Sequence, residues 1–273
     1  MDDLKKFYNT VYEANHFLNY SGSEESLGPR IKEHEKILIR WMEKCQVSED
    51  ALVLEVGCGM GYLNKCHKNW RGVEYSFTAA RRAKELFGRN LKIYEGDARQ
   101  LPIKTGSIDF LFSFSTLEHV PKIELAFEEI SRVLRTGGIA LIAPAWNCRP
   151  WTVKKLQIRP YSELPVMNKL EKAIIPVRNK LAWRALFSLP GRLKREALLL
   201  SNYKCGLNYR NLSPDLSLNE KYPHISDDDA FVSIDAHAAL AYWVSRGFKS
   251  LSHPGFSRRM MVRGEEIVVQ KNY

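Results

Sequence analysis

The sequence predicts an α/β fold: a doubly wound, mostly parallel sheet with helices on both faces. Three observations predict it. Short apolar runs alternate with helical patterns from Ala51 to Ala143. The first run enters a glycine cluster, Gly57-Cys58-Gly59-Met60-Gly61. The alternation stops at Pro144 and resumes at Ala236, so a segment is inserted into the connectivity of the sheet.

Residues 1–20 read as a helix with Phe7, Tyr8, Val11, Tyr12 and Phe17 at its apolar positions. Residues 21–28 have loop chemistry, and Pro29 suits the first turn of a second helix striped by Ile31, Leu38, Trp41, Met42 and Cys45. Ala51–Val56 is a short buried strand. Gly72–Tyr75, Leu91–Tyr94, Ile108–Phe114 and Gly138–Ala143 read as further strands, with helices at Thr78–Phe87 and Ile123–Leu134. Residues 164–203 read as helices interrupted by prolines, among them Pro165, Pro176 and Pro190. A helix at Ala236–Ser245 ends at Gly247. The strands Phe248–Ser252 and Glu266–Gln270 follow, joined by a loop with Arg258, Arg259 and Arg263.

The length of 273 residues fits one large domain or a domain with an insertion. Hydrophobic residues at 45% and charged residues at 26% exclude global disorder and a fibre. No apolar run approaches the ~20 residues that span a bilayer. Met1-Asp2-Asp3-Leu4-Lys5-Lys6 lacks the apolar stretch of a signal peptide. The five cysteines have no tight CxxC spacing, so reduced thiols in a cytoplasmic protein are expected, with neither a disulfide frame nor a metal site.

The chemistry concentrates at Val53-Leu54-Glu55-Val56-Gly57-Cys58-Gly59-Met60-Gly61-Tyr62-Leu63. Glycines after a strand turn tightly and let backbone amides approach a ligand. The spacing is GxGxG, and Tyr62 stands where a dinucleotide-binding GxGxxG has its third glycine. Glu74 ends the second strand, where a carboxylate can accept from both hydroxyls of a ribose. Gly96-Asp97-Ala98 follows the third strand, and Arg132-Val133-Leu134-Arg135-Thr136-Gly137-Gly138 joins a helix to the fifth. An NAD dehydrogenase is the nearest alternative on the same physics. The missing third glycine and the RVLRTGG turn count against it.

Together these features resemble the class I S-adenosylmethionine-dependent methyltransferases, of the small-molecule type similar to ubiquinone and menaquinone methylases. The resemblance covers about residues 50–146 and, more weakly, 236–272. It implies a seven-stranded sheet with its last strand antiparallel, and a helical insertion between strands five and six. It implies Glu55, Gly57, Cys58, Gly59 and Gly61 around the methionyl part of S-adenosylmethionine, Glu74 and Tyr75 at the ribose, and Asp97 and Ala98 at the adenine. Ser115 and Thr116 fall where the family lines the methionyl pocket. Residues 1–146 then form N-terminal helices and the cofactor half, 147–234 an acceptor or lid insertion, and 235–273 the end of the sheet.

The acceptor is less defined. A hydroxyl acceptor benefits from a general base, whereas a neutral amine needs mainly orientation. His119 follows the fourth strand and could serve; the alternative is that Glu118 and His119 cap the next helix. His224 and His237 are further candidates from the insertion and its end. Asp227-Asp228-Asp229 reads as a cation or sugar-hydroxyl site or as a solvated loop, and Asp235 as a helix cap. Tyr8 and Tyr12 form a lid or plain core. No Asn/Asp-Pro-Pro-aromatic motif and no Pro-Cys follows the fourth strand, which disfavours amino-group and C5 methylation of nucleobases.

Charge separates the segments. Residues 147–205 carry 13 basic and 3 acidic residues, which accounts for the whole net charge of +10. Leu170, Ile174, Val177 and Leu181 recur there at helical spacing, beside Trp151, Trp183 and Phe187. Three readings stay open: contact with an anionic membrane and a glycan-like acceptor on a lipid or nucleotide, binding of RNA, or a solvated lid. The expected activity is methyl transfer to a hydroxyl or amine of a small-molecule or glycan-like acceptor. The expected location is cytoplasmic, peripheral to the inner face of the membrane. An RNA or aromatic-metabolite acceptor, and a non-catalytic cofactor-binding scaffold, are the alternatives.

Overall fold

The computed structural model describes residues 2–13, 24–223 and 225–272. Two helices lead the chain, α1 (Asp2–Glu13) and α2 (Glu24–Lys44). The alternating part follows as β1 (Val53–Val56), β2 (Trp70–Glu74), α3 (Phe77–Phe87), β3 (Ile93–Glu95), β4 (Ile108–Phe114), α4 (Ile123–Val133) and β5 (Leu134–Ala143). The inserted segment holds α5 (Pro150–Val153), α6 (Val166–Arg178), α7 (Leu181–Leu200), β6 (Tyr209–Asn211), α8 (Leu218–Lys221) and β7 (Val232–Ile234). The chain ends with α9 (Ala236–Val244), β8 (Phe248–Ser250), α10 (Phe256–Met261) and β9 (Ile267–Lys271).

Seven strands form one sheet in the order β3-β2-β1-β4-β5-β9-β8. Strands β1 to β5 pair in parallel, and β9 runs antiparallel to both β5 and β8. This is the expected mostly parallel sheet with its last strand reversed. The chain winds outward from β1 to β3, then returns to place β4 on the other side of β1. Such a reversal opens a crevice beyond the carboxyl ends of β1 and β4, where open α/β sheets bind ligands.

The central strands β1 and β4 are buried on both faces, which is why they are largely apolar rather than alternating. On one face Phe127 of α4 stacks on Trp243 of α9, with ring centres 5.1 Å apart. On the other, Leu38 and Trp41 of α2 and Ala80 and Ala83 of α3 pack against Val53, Phe110 and Phe112.

Several expectations are corrected. Helix α1 is described as far as Glu13, and Phe17 lies outside the described residues. Helix α2 begins at Glu24, so part of the expected loop is helical and Pro29 sits inside the helix. Proline near a helix start removes a single backbone bond. Pro176 and Pro190 likewise lie within α6 and α7 instead of breaking them. Strand β5 begins at Leu134, four residues early. Gly138 makes this possible, because a Cβ there would lie 2.9 Å from the carbonyl oxygens of Arg135 and Ile108. The expected loop before β9 contains α10. The insertion is not wholly helical, since β6 and β7 pair as an antiparallel ribbon.

Candidate functional site

The crevice beyond β1 and β4 holds a cavity of about 180 Å³. Of the expected cofactor residues, Gly57, Glu74, Tyr75, Asp97, Ala98, Ser115 and Thr116 line it. His119, Tyr8 and Tyr12 line it too, together with Leu4 and Arg99.

Local structure explains each position. Gly57 has φ +74°, and a Cβ there would fall inside the Thr116 side chain. Thr116 Oγ1 donates to the carbonyls of Phe114 (2.8 Å) and Gly57 (3.3 Å), so it pins the tips of β1 and β4 together. Ser115 bends the chain sharply at φ 44°, a left-handed conformation that costs a non-glycine residue some strain.

Glu74 is buried and receives two backbone amides, Gly59 N–H at 2.7 Å and Ser76 N–H at 2.8 Å. The carboxylate at the end of β2 therefore fixes the glycine turn after β1. Burial raises its pKa, and the two amide donors oppose the rise. The Asp97 carboxylate faces the Arg99 guanidinium at 2.5–3.1 Å and accepts from Arg99 N–H at 2.8 Å. Burial pushes Asp97 up, but these donors outweigh it and hold the group below its ordinary value.

Other expected residues stand behind the cavity wall. Glu55 is buried and accepts from Trp70 Nε1 at 2.9 Å. Burial raises its pKa well above the ordinary value. Cys58 is buried among core side chains, and Gly61 faces Ile93, Trp70 and Leu91. These residues shape the turn without lining the cavity.

The opposite wall is built around His119. Its Nδ1 lies 3.4 Å from the Asp229 carboxylate, and its Nε2 lies 3.7 Å from Glu118. Tyr8 O–H of α1 donates to Asp229 at 3.2 Å, and its ring meets His119 edge-on. Burial alone would lower the His119 pKa; Asp229 and Glu118 outweigh it and raise it. Glu118 does not cap α4. It accepts from Ala145 N–H at 3.0 Å and ties the end of β4 to the loop after β5.

The three aspartates are not a solvated loop. Asp228 is buried and paired with Lys155 at 2.8 Å, and the ammonium also donates to the carbonyl of Pro223 at 2.9 Å. Both partners are almost fully buried, so Asp228 serves packing, whereas Asp229, also buried, meets the lining residues His119 and Tyr8. Asp235 caps α9 as expected, accepting from His237 and Ala238 amides. His224 lies outside the described residues.

His237 is a correction. It is buried against α7, where Arg195 Nε donates to its Nδ1 at 3.0 Å and Glu196 sits 3.2 Å from its Nε2. Both ring nitrogens are occupied, and the residue does not line the cavity. Arg99, Leu4 and Lys155 were missed from the sequence. Arg99 alone carried a signal, two residues beyond Asp97.

Residues 54–142 match the family model described as "Methyltransferase domain". A sterol 24-C-methyltransferase of Pneumocystis carinii is 28% identical over 153 residues, 50% of this chain and 40% of that protein. A protein of Mycolicibacterium smegmatis named "Probable S-adenosylmethionine-dependent methyltransferase" is 28% identical over 41% of this chain and 44% of its own length. The 2-methyl-6-phytyl-1,4-hydroquinone methyltransferase of Synechocystis is 32% identical over 43% of this chain and 38% of its own length. The chain thus spans less than half the length of these curated relatives.

Proposed function

We propose, from the S-adenosylmethionine-dependent class I methyltransferase domain that residues 54–142 form, that the protein transfers a methyl group to a hydroxyl or amine of a small-molecule or glycan-like acceptor. The acceptor class includes lipid- and nucleotide-linked sugars. One observation carries the reading. A single cavity is lined by Gly57, Glu74, Asp97 and His119, and Asp229 stands behind His119 at 3.4 Å.

The residues present fit the cofactor. Gly57 lines the cavity, and Glu74, fixed by two amides, offers acceptor lone pairs at the end of β2. Asp97 with Arg99 and Ala98 forms the neighbouring wall. When bound, S-adenosylmethionine supplies an electrophilic methyl on a sulfonium. The chain's own task is alignment and water exclusion, which can remove about 7–11 kcal/mol of the barrier in such displacements. Leu4, Tyr8 and Tyr12 of α1 cover the cavity. His119, oriented by Asp229, takes the proton of an acceptor hydroxyl at Nε2, and the Asp229 carboxylate stabilises the resulting imidazolium.

The insertion supports an amphiphilic acceptor and contact with an anionic membrane through residues 147–205. Val166, Met167, Leu170, Ile174, Leu186 and Phe187 are exposed on α6 and α7 among lysines and arginines. Two relatives are named for a sterol and a phytyl-hydroquinone, both lipids. The contact we propose is peripheral, at the cytoplasmic face; among the described residues no helix is long and apolar enough to cross a membrane.

The test is methyl transfer from labelled S-adenosylmethionine to a panel holding a nucleotide-linked sugar, a lipid-linked sugar, a sterol and a hydroquinone. Transfer to one class, lost in His119→Ala with cofactor binding intact, is expected. Absence of S-adenosylmethionine uptake by folded protein in calorimetry overturns the reading.

A further inference from the structure

A second and larger cavity, about 890 Å³, opens between α5, α6–α7, the β6–β7 ribbon and α10. Six arginines line it: Arg149, Arg178, Arg184, Arg192, Arg210 and Arg263. Asp235 is the one carboxylate among its lining residues, and it is 3.4 Å from Arg192. Arg178 stacks over Trp151 with its carbon 4.5 Å from the ring centre and has Glu171 at 3.7 Å. Arg149 also lies over Trp151, at 5.7 Å. No described carboxylate pairs with Arg149, Arg184, Arg210 or Arg263.

Converging guanidiniums without matching carboxylates repel each other. Burial and the charges of Arg184 and Arg178 push the Arg149 pKa down. The Arg192 Nε is buried with no hydrogen-bond partner among the described residues. An apolar wall adjoins this charge. Trp183 and Phe187 pack ring on ring at 4.7 Å, half-exposed, beside exposed Leu186 and Leu189. A doubly charged oxyanion satisfies several guanidinium forks at once, and the apolar wall asks for hydrocarbon on the same molecule.

We propose that this cavity binds a phosphate-bearing amphiphile, its phosphate between Arg149, Arg178 and Arg184 and its apolar part along Trp183 and Phe187. The site is separate from the cofactor cavity. The two cavities share no lining residue. The proposal therefore does not rest on methyl transfer. It gives the basic insertion a discrete anion site in place of a diffuse charged face.

The experiment is calorimetry with a short-chain, monomeric phosphatidic acid, the matching short-chain phosphatidylcholine, and inorganic phosphate. The phosphatidic acid is expected to bind at least about tenfold tighter than either comparison ligand, since charge-assisted hydrogen bonds distinguish it from the one and apolar contact from the other. The double variant Arg149→Gln/Arg184→Gln is expected to lose about tenfold or more, with unchanged S-adenosylmethionine affinity and melting temperature. The double variant Lys169→Gln/Lys194→Gln removes the same charge elsewhere on α6–α7 and is expected to leave binding intact. Equal losses in the two double variants would mean diffuse electrostatics and overturn the site. Inorganic phosphate binding as tightly as the lipid overturns the amphiphile and leaves a free-phosphate source. A single-stranded RNA that binds tighter at matched salt and is lost in the same arginine variant assigns the cavity to nucleic acid instead.

Discussion

Asp229 and His119 meet at 3.4 Å although 110 residues separate them in sequence. One follows β4, and the other precedes β7 at the far end of the insertion. The insertion thereby backs the cavity that the sheet and α1 line, through a carboxylate that sets the state of the lining histidine.

The direction of that effect gives a pH profile. Asp229 and Glu118 raise the His119 pKa against the lowering by burial. A base acts when deprotonated, so kcat/KM rises with pH through a limb placed above the ordinary histidine value. In Asp229→Asn the limb moves to lower pH, and the plateau falls because the ring loses its orienting partner. His119→Ala should lose about 100-fold or more of kcat with unchanged affinity for S-adenosylmethionine. A limb that stays in place in Asp229→Asn removes the pair from the mechanism.

The Lys155–Asp228 pair makes a prediction about stability. Both charges are out of water, and the lysine also satisfies the Tyr222 and Pro223 carbonyls. Lys155→Met strands a buried carboxylate and should cost about 3–5 kcal/mol. Lys155→Met/Asp228→Leu should recover a large part of it, since replacing both partners leaves no uncompensated charge. Urea titrations of the three proteins measure this. A single variant within about 1 kcal/mol of the parent sinks the account.

These two pairs also mark where the sequence stops being legible. The sheet was readable because burial on both faces writes itself locally, as in the apolar runs Val53–Val56 and Ile108–Phe114. The glycine turn, Glu74 and Asp97 were readable because each lies at the end of such a run. Lys155 was not, because a lysine in a basic segment looks solvated until its partner, 73 residues away, is placed. Strand β6 was missed for a similar reason. Two of its three residues are exposed, and its partner β7 lies beyond another helix. The prolines misled because each sits inside a helix that continues through it, Pro176 in α6 and Pro190 in α7, at the loss of one backbone hydrogen bond apiece.

Gly57 tests the glycine turn itself. Alanine there must hold φ +74° and displace Thr116, the residue that joins the tips of β1 and β4. Gly57→Ala should destabilise the fold by about 1–3 kcal/mol and weaken S-adenosylmethionine binding by more than tenfold. Adding Thr116→Gly removes the clash but not the strain, so binding should recover in part. Calorimetry on the three variants tests the order. Full affinity in Gly57→Ala would show that the ligand does not approach this turn.

Helix α1 is held over the cavity by polar contacts rather than by a large apolar face. Lys5 pairs with Glu95, Asn9 Oδ1 accepts from Ser76 Oγ at 2.8 Å, and Arg82 donates to the Glu13 carbonyl at 2.8 Å. A net hydrogen bond contributes about 1 kcal/mol. Asn9→Ala should therefore raise the dissociation rate of S-adenosylmethionine by about fivefold with little change in association. Stopped-flow chase experiments read both rates. An unchanged dissociation rate would mean that α1 does not retain the cofactor.

His237 separates a structural histidine from a catalytic one. Arg195 donates to its Nδ1, which leaves Nε2–H to face Glu196, so the neutral ring is fully satisfied. A proton on Nδ1 would oppose the Arg195 N–H. Burial, reinforced by Arg195, lowers the pKa from 6.5 to about 4. The sign follows from which state takes up the proton first. Above pH ~6.5 both folded and unfolded forms are neutral, and the residue gives no pH slope. Between there and about 4 the unfolded chain is protonated while the folded one is not, so stability falls as pH falls, by about 2–3 kcal/mol in all. His237→Gln should be less stable at pH 7.5 yet lose less between pH 7 and pH 4.5. Its methyl-transfer pH profile should match the parent once folded protein is equalised. A shifted profile in this variant would place His237 back among the catalytic candidates, since nothing in its packing otherwise connects it to His119.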